Sequence, residues 1–122
     1  MGLDIVTFGF NYRNPPKADL VLDCRHQMPN PFWILELRPF CGENEKTKSF
    51  LDHHSDAINY FEIAKDRVGK LLQEKENVKV AVGCTGGFHR SVYIARKLYD
   101  YFSSSVPSTL THLDIEKKGK KQ

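Results

Sequence analysis

A chain of 122 residues with 40% hydrophobic and 27% charged side chains and a formal net charge of +3 has the composition of an ordinary globular protein, and its length should bury about two-thirds of the unfolded surface. No apolar run approaches the roughly 20 residues of a membrane span, and Met1-Gly2-Leu3-Asp4 lacks the organisation of a signal peptide, so a cytoplasmic protein is expected. Cys24, Cys41 and Cys84 are odd in number and form no C-x-x-C pair, which excludes a disulfide framework and reads as free thiols in a reducing compartment.

In chain order, residues 4–10 form a β-branched and aromatic run that ends at Asn11 and reads as a first strand. Asn14-Pro15-Pro16 reads as a turn, and residues 19–24, containing Leu20-Val21-Leu22, read as a second, buried strand. Residues 47–74 carry Phe50, Leu51, His54, Ala57, Ile58, Phe61, Ala64, Val68, Leu71 and Leu72 on one helical stripe, with Lys65, Asp66, Lys70 and Lys75 outside it. His53 and His54 fall in the middle of that single long helix. Residues 78–82 form a third strand, residues 91–103 a second helix with Val92, Ala95, Leu98, Tyr99 and Phe102 at helical spacing, and residues 110–114 a last strand. Strands separated by helical crossovers predict an α/β fold, a largely parallel sheet of about four strands covered by helices. One domain is expected over residues 3–115, followed by a basic mobile tail over residues 116–122.

The stretch Gly83-Cys84-Thr85-Gly86-Gly87-Phe88-His89-Arg90-Ser91 joins the third strand directly to a helix. Glycines let the backbone close around a ligand, the first helical turn offers N–H groups, and Arg90 adds a permanently charged fork suited to phosphate oxygens. A phosphate-bearing ligand is therefore expected. A Walker-type loop needs Lys at its end, where Phe88-His89-Arg90-Ser91 stands, and the glycines do not spell the dinucleotide fingerprint. Cys84, five residues, then Arg90 and Ser91 is the spacing of cysteine-dependent phosphatases, in which a thiolate attacks a phosphate held by loop N–H groups and an arginine. Gly83 stands where such enzymes usually have histidine, and Cys84 can equally be a small residue filling a strand end. A metal site from Cys24, His26 and His89 lacks zinc-ligand spacing, so neither metal nor cofactor is expected.

The run Val80-Ala81-Val82-Gly83-Cys84-Thr85-Gly86-Gly87-Phe88-His89-Arg90-Ser91-Val92-Tyr93-Ile94-Ala95 resembles the GCTGGxHRSVYIAE signature of the RapZ family, in its C-terminal domain. Thr7-Phe8-Gly9-Phe10-Asn11-Tyr12 with Ala18-Asp19 resembles that domain's opening, and Asp23-Cys24-Arg25 with the segment from Pro29-Asn30-Pro31 to Glu36-Leu37-Arg38-Pro39 resembles its next block. The match is ordered along residues 4–105 and departs locally at Gln27-Met28, Cys41 and Arg96. The resemblance implies a fold likened to a phosphofructokinase subdomain and a site that senses glucosamine-6-phosphate. It also implies a connection with small regulatory RNAs, because the family's full-length members are RNase adapters. Their N-terminal part carries a nucleotide-binding P-loop that this sequence lacks, so a separate nucleotide-binding or RNase partner is a further expectation.

In a parallel sheet ligands collect at the carboxyl ends of strands, here residues 8–12, 23–30 and 84–90, which should converge on one pocket. The backbone N–H groups from Thr85 through Gly86 and Gly87 to Phe88, the Thr85 hydroxyl, His89 and Arg90 are assigned to the phosphate. Asp23 and Arg25 are assigned to hydroxyl or amino groups of a sugar, with a mutual structural pair as the alternative, and Asn30 and Trp33 to a wall of the site. Glu36 and Arg38 read as a loop-fixing ion pair. Lys117, Lys118, Lys120 and Lys121 can attract RNA phosphates, and a homo-oligomer would multiply such tails. Three functions stay open: a sensor for a phosphorylated amino sugar, a phosphatase using Cys84 and Arg90 with Asp23 as general acid, and an RNA-binding adapter without a metabolite.

Overall fold

The computed structural model describes residues 1–117. Four strands, β1 (Gly2–Gly9), β2 (Leu20–Asp23), β3 (Asn77–Cys84) and β4 (Ser108–His112), form one all-parallel sheet in the order β2-β3-β1-β4. Three α-helices accompany it: α1 (Glu45–Asp52), α2 (Ser55–Glu74) and α3 (Arg90–Phe102). This is the expected α/β fold. No described helix is long and apolar enough to cross a membrane.

The two faces of the sheet are closed differently. Leu3, Ile5, Leu20, Leu22, Val78, Val80 and Val82 point to one face, where Ala64, Val68, Ile94 and Leu98 of α2 and α3 meet them in the main core. On the opposite face Val6, Phe8 and Ala81 form a small buried cluster packed against Phe10 and Ala18. Phe10 and Ala18 lie in the connection from β1 to β2, which carries no helix, as the expected turn between the first two strands implies. Two prolines in a row leave that connection irregular. Its turn also comes earlier than Asn14-Pro15-Pro16: the Tyr12 and Arg13 N–H groups both donate to the Gly9 carbonyl, at 3.0 and 3.2 Å.

The long helix expected over residues 47–74 is two helices. Leu51 and Ala57 are both fully buried, yet six residues apart they would stand about 120° apart around one helix axis, at opposite margins of a single apolar stripe. The break resets the phase. His53 closes α1, its Nδ1 2.7 Å from the Ser49 carbonyl, and His54 caps α2 by accepting from the Asp56 N–H at 3.3 Å. Neither histidine is mid-helix, and Ile58, assigned to the apolar stripe, is 47% exposed.

Candidate functional site

The segments that follow β1 and β3, with Asn30 and Phe32 from the long loop after β2, enclose a cavity of about 210 Å³ lined by Asn11, Tyr12, Asn30, Phe32, Cys84, Thr85, Gly86, Phe88, His89 and Arg90. The loop from β3 to α3 forms its floor because it is pinned on both flanks. The Phe10 and Asn11 N–H groups donate to the carbonyls of Cys84 and Thr85, at 2.9 and 3.0 Å, which extends the β1–β3 ladder past the strand ends. On the other flank the Gly42 N–H donates to the Phe88 carbonyl at 2.9 Å. A Cβ at Gly42 would lie 2.2 Å from the His89 carbonyl oxygen and 2.4 Å from the Tyr93 nitrogen, so only glycine permits this approach. Gly87 has φ +68°, and a Cβ there would meet the Gly9 nitrogen at 2.7 Å.

Arg90 opens α3 and is only 4% exposed. Its NH1 donates to the Arg25 carbonyl at 2.5 Å and its NH2 to the Thr85 hydroxyl at 3.4 Å, while its buried Nε has no hydrogen-bond partner. Among the described residues no carboxylate forms an ion pair with it. A buried guanidinium without a counter-charge is costly. The end of α3 beside it makes no side-chain capping bond and has no acidic residue in its first turn, so the positive end of the helix dipole adds to the same field.

The remaining expected residues fall around this centre. Cys84 is buried and its Sγ donates to the Ser91 Oγ at 3.2 Å. His89, also buried, turns its Nε2 toward the Leu37 carbonyl at 3.2 Å, which requires that nitrogen to carry the proton. Asn30 lines the cavity while its Oδ1 accepts from the Phe32 N–H at 3.0 Å, so its amide donors remain for a ligand. Asp23 and Arg25 do not line it. They pair with each other, Arg25 NH2 to Asp23 Oδ2 at 2.8 Å and Arg25 Nε to Asp23 Oδ1 at 3.0 Å, and the guanidinium lies 3.7 Å from the Phe10 ring centroid. The hydrogen bond from Arg25 holds the Asp23 carboxyl below the usual carboxylate range.

Two assignments to the 30–39 segment are corrected. Trp33 forms no wall, being 78% exposed; Phe32 lines the cavity in its place. Arg38 makes no ion pair with Glu36 but donates from Nε to the Phe32 carbonyl at 2.6 Å and stacks on the Phe32 ring, since the intervening 3-10 turns bring that carbonyl, and not the Glu36 carboxylate, to its fork. Among the described residues Cys24, His26 and His89 do not assemble into a three-ligand group. Lys117, assigned to an RNA-binding tail, is tied to the fold by its Nζ on the Asp114 Oδ1 at 2.8 Å. Lys118, Lys120 and Lys121 lie outside the described residues.

Sequence reasoning missed Asp114. It is fully buried and accepts from the Gly9 N–H at 2.8 Å, from Arg13 Nε and NH2 at 3.0 and 2.7 Å, and from Lys117. Burial alone would raise its carboxyl; the hydrogen bonds from Arg13, Lys117 and Gly9 outweigh that and hold it below the usual range. Beside Gly42, Glu43 accepts from His112 Nε2 at 2.7 Å, and His112 Nδ1 accepts from the Thr7 hydroxyl at 2.9 Å. A lone Asp two residues past a strand carries no sequence signal that it folds back across that strand's neighbour.

A family model described as the RapZ C-terminal domain matches residues 1–116. A nucleotide-binding protein of Bacillus velezensis is 39% identical over 124 residues, covering 98% of this chain and 42% of that protein. Nucleotide-binding protein YvcJ of Bacillus subtilis is 37% identical over 98% of this chain and 42% of its own length. A nucleotide-binding protein of Dictyoglomus thermophilum is 38% identical over 94% of this chain and 40% of its own length. The chain spans about two-fifths of the length of these curated relatives.

Proposed function

We propose, because this chain belongs to the RapZ C-terminal domain family, that the loop from β3 to α3 binds the phosphate of a small phosphorylated ligand and that occupancy is a regulatory signal. The observation that carries the reading is Arg90, a buried guanidinium with an unpartnered Nε and no ion pair among the described residues, at the start of α3, which has no side-chain cap. A phosphate dianion supplies the missing charge and the acceptors for that Nε, for Thr85 and for the loop N–H groups. The cavity volume of about 210 Å³ lies below the roughly 300–1,000 Å³ of pockets for drug-sized ligands, which favours a compact body such as a sugar over a nucleoside triphosphate.

The family likeness names glucosamine-6-phosphate as the first ligand to test, and a small RNA or a protein as the partner that reads occupancy. The relatives are named nucleotide-binding proteins, so a nucleotide is the competing phosphate donor. A cytoplasmic homo-oligomer with three free thiols completes the proposal.

One observation favours a second reading, hydrolysis of a phosphate monoester: the Cys84 Sγ and Ser91 Oγ lie in hydrogen-bond contact, a geometry that can also stabilise a thiolate. Attack of that sulfur on phosphorus needs a proton for the departing oxygen. Asp23, the expected donor, is kept ionised by Arg25, which weakens this reading.

Isothermal titration with glucosamine-6-phosphate, glucosamine, inorganic phosphate and a nucleotide, with released phosphate assayed in the same samples, separates the readings. Saturable binding that needs both the phosphate group and Arg90, with no phosphate released, supports the sensor. No binding to any phosphorylated probe, or phosphate release that stops in Cys84→Ser, sinks it.

A further inference from the structure

We propose that Cys24 and Cys84 form an oxidisable thiol pair beside the anion loop, closed to a disulfide by a small peroxide that enters through the cavity. The argument starts from strand register. β2 pairs with β3 from Leu20 opposite Val80 to Asp23 opposite Gly83, and the Cys24 N–H continues the ladder by donating to the Gly83 carbonyl at 2.7 Å. One residue further, Cys24 stands beside Cys84. Side chains alternate along a strand, so the two thiols project to the same face as Leu22 and Val82, and both belong to the main core. Neighbouring strands are about 4.8 Å apart, inside the roughly 4.4–6.8 Å range of Cα separations that disulfides span.

The two sulfurs have different surroundings, which assigns their roles. Cys84 lines the cavity, and Cys24 does not. Cys84 shares the cavity lining with Arg90, so an entering peroxide meets its sulfur first. Burial, and after it the neighbouring Cys84, push the Cys24 thiol up, so Cys24 has to give up its proton as it attacks in the second step. Cys84 sulfur attacks one peroxide oxygen, the O–O bond breaks, and hydroxide leaves and takes a proton to become water. Cys24 sulfur then attacks the resulting sulfenic acid, the S–O bond breaks, and a second water leaves with the Cys24 proton. Two thiols lose two electrons in total, and the peroxide is reduced to two waters. The Cys84 bond to Ser91 is lost in the product, so oxidation changes the strand end that feeds the loop.

Cys41, partly exposed and free, is the internal control. The full chain is reduced, desalted, treated with stoichiometric hydrogen peroxide, alkylated, digested and mapped by mass spectrometry, with circular dichroism confirming that it stays folded. The expected result is a dithiothreitol-reversible Cys24–Cys84 linkage that persists in Cys41→Ser, and in Cys24→Ser a dimedone-trapped sulfenic acid at Cys84. Full alkylation of Cys24 and Cys84 while Cys41 oxidises, or a linkage found only after unfolding, would overturn the proposal. No ligand enters this experiment, so its failure leaves the phosphate reading standing and the reverse also holds.

Discussion

Two buried charges sit at the same end of the sheet and are treated in opposite ways. Asp114, fully buried, receives a backbone N–H, two donors of Arg13 and the Lys117 ammonium. Arg90, 4% exposed, has a carbonyl, a distant hydroxyl and an unpartnered Nε. A buried ion with a full set of partners is retained for the fold it holds, here the turn after β1. A buried ion without them costs stability that the fold itself does not recover, and that cost is tolerable where an external group supplies the missing charge.

The comparison breaks most visibly at Asp114. Asp114→Ala leaves the Gly9 N–H and Arg13 without their acceptor and should cost about 3 kcal/mol of unfolding free energy in urea titration. Its contribution also has a pH signature. Because the folded carboxyl titrates below its unfolded value of about 3.9, the stabilisation is fully present above that value and is lost as pH falls through the lower folded value. The acid limb of a stability-against-pH curve should therefore be shallower in Asp114→Ala; an unchanged limb would mean other carboxylates dominate it.

Arg90→Gln should do the reverse. Removing an uncompensated charge should change unfolding free energy by no more than about 1 kcal/mol, while phosphate affinity should fall by about 2 kcal/mol, or thirtyfold, in calorimetry. A variant that lost stability as heavily as Asp114→Ala, with affinity intact, would make Arg90 a structural ion like its neighbour.

The sequence carried the Arg90 side of this contrast and not the Asp114 side. Gly83 to Ser91 is contiguous, so strand, glycines, arginine and helix could be read as one local unit, and the parallel alternation of strands and helices placed it at a carboxyl end. Asp114 acts on Gly9 and Arg13 across more than a hundred residues of chain, and only sheet order reveals that β4 lies beside β1. The break at His53 and His54 was hidden for a related reason: a stripe of apolar residues can be drawn through Leu51, Ala57 and Ile58, and tertiary packing buries the first two and leaves Ile58 exposed. Gly42 gave no local signal either, since its need for glycine comes from the start of α3.

Gly86 sharpens the contrast on a finer scale. Unlike Gly87 it has no positive φ, and a Cβ there would meet nothing within 4 Å, yet it lines the cavity. Gly86→Ala should therefore keep or raise stability by about 0.4–1 kcal/mol through the unfolded chain, while the methyl takes space from the ligand and weakens binding by about tenfold, roughly 1.4 kcal/mol. Loss of stability in this variant would place the glycine requirement in the fold and remove the loop's spare room from the argument.

The smallest expected effect concerns the amino group of the proposed sugar ligand. Asp23 is the nearest carboxylate that sequence offered for an ammonium, but both its oxygens face Arg25 and neither it nor Arg25 lines the cavity. As a half-exposed ion pair it contributes no more than about 1 kcal/mol to stability. Asp23→Asn should accordingly shift the affinity ratio of glucosamine-6-phosphate to glucose-6-phosphate by less than about twofold, or 0.4 kcal/mol. A preference for the amino sugar that is present in the wild type and collapses in Asp23→Asn would require Arg25 to release Asp23 when ligand binds. The buried Arg90 would then be the anchor of a site whose second contact forms only on occupation, and the Arg25 carbonyl, which already accepts from Arg90 NH1, would be the link between the two.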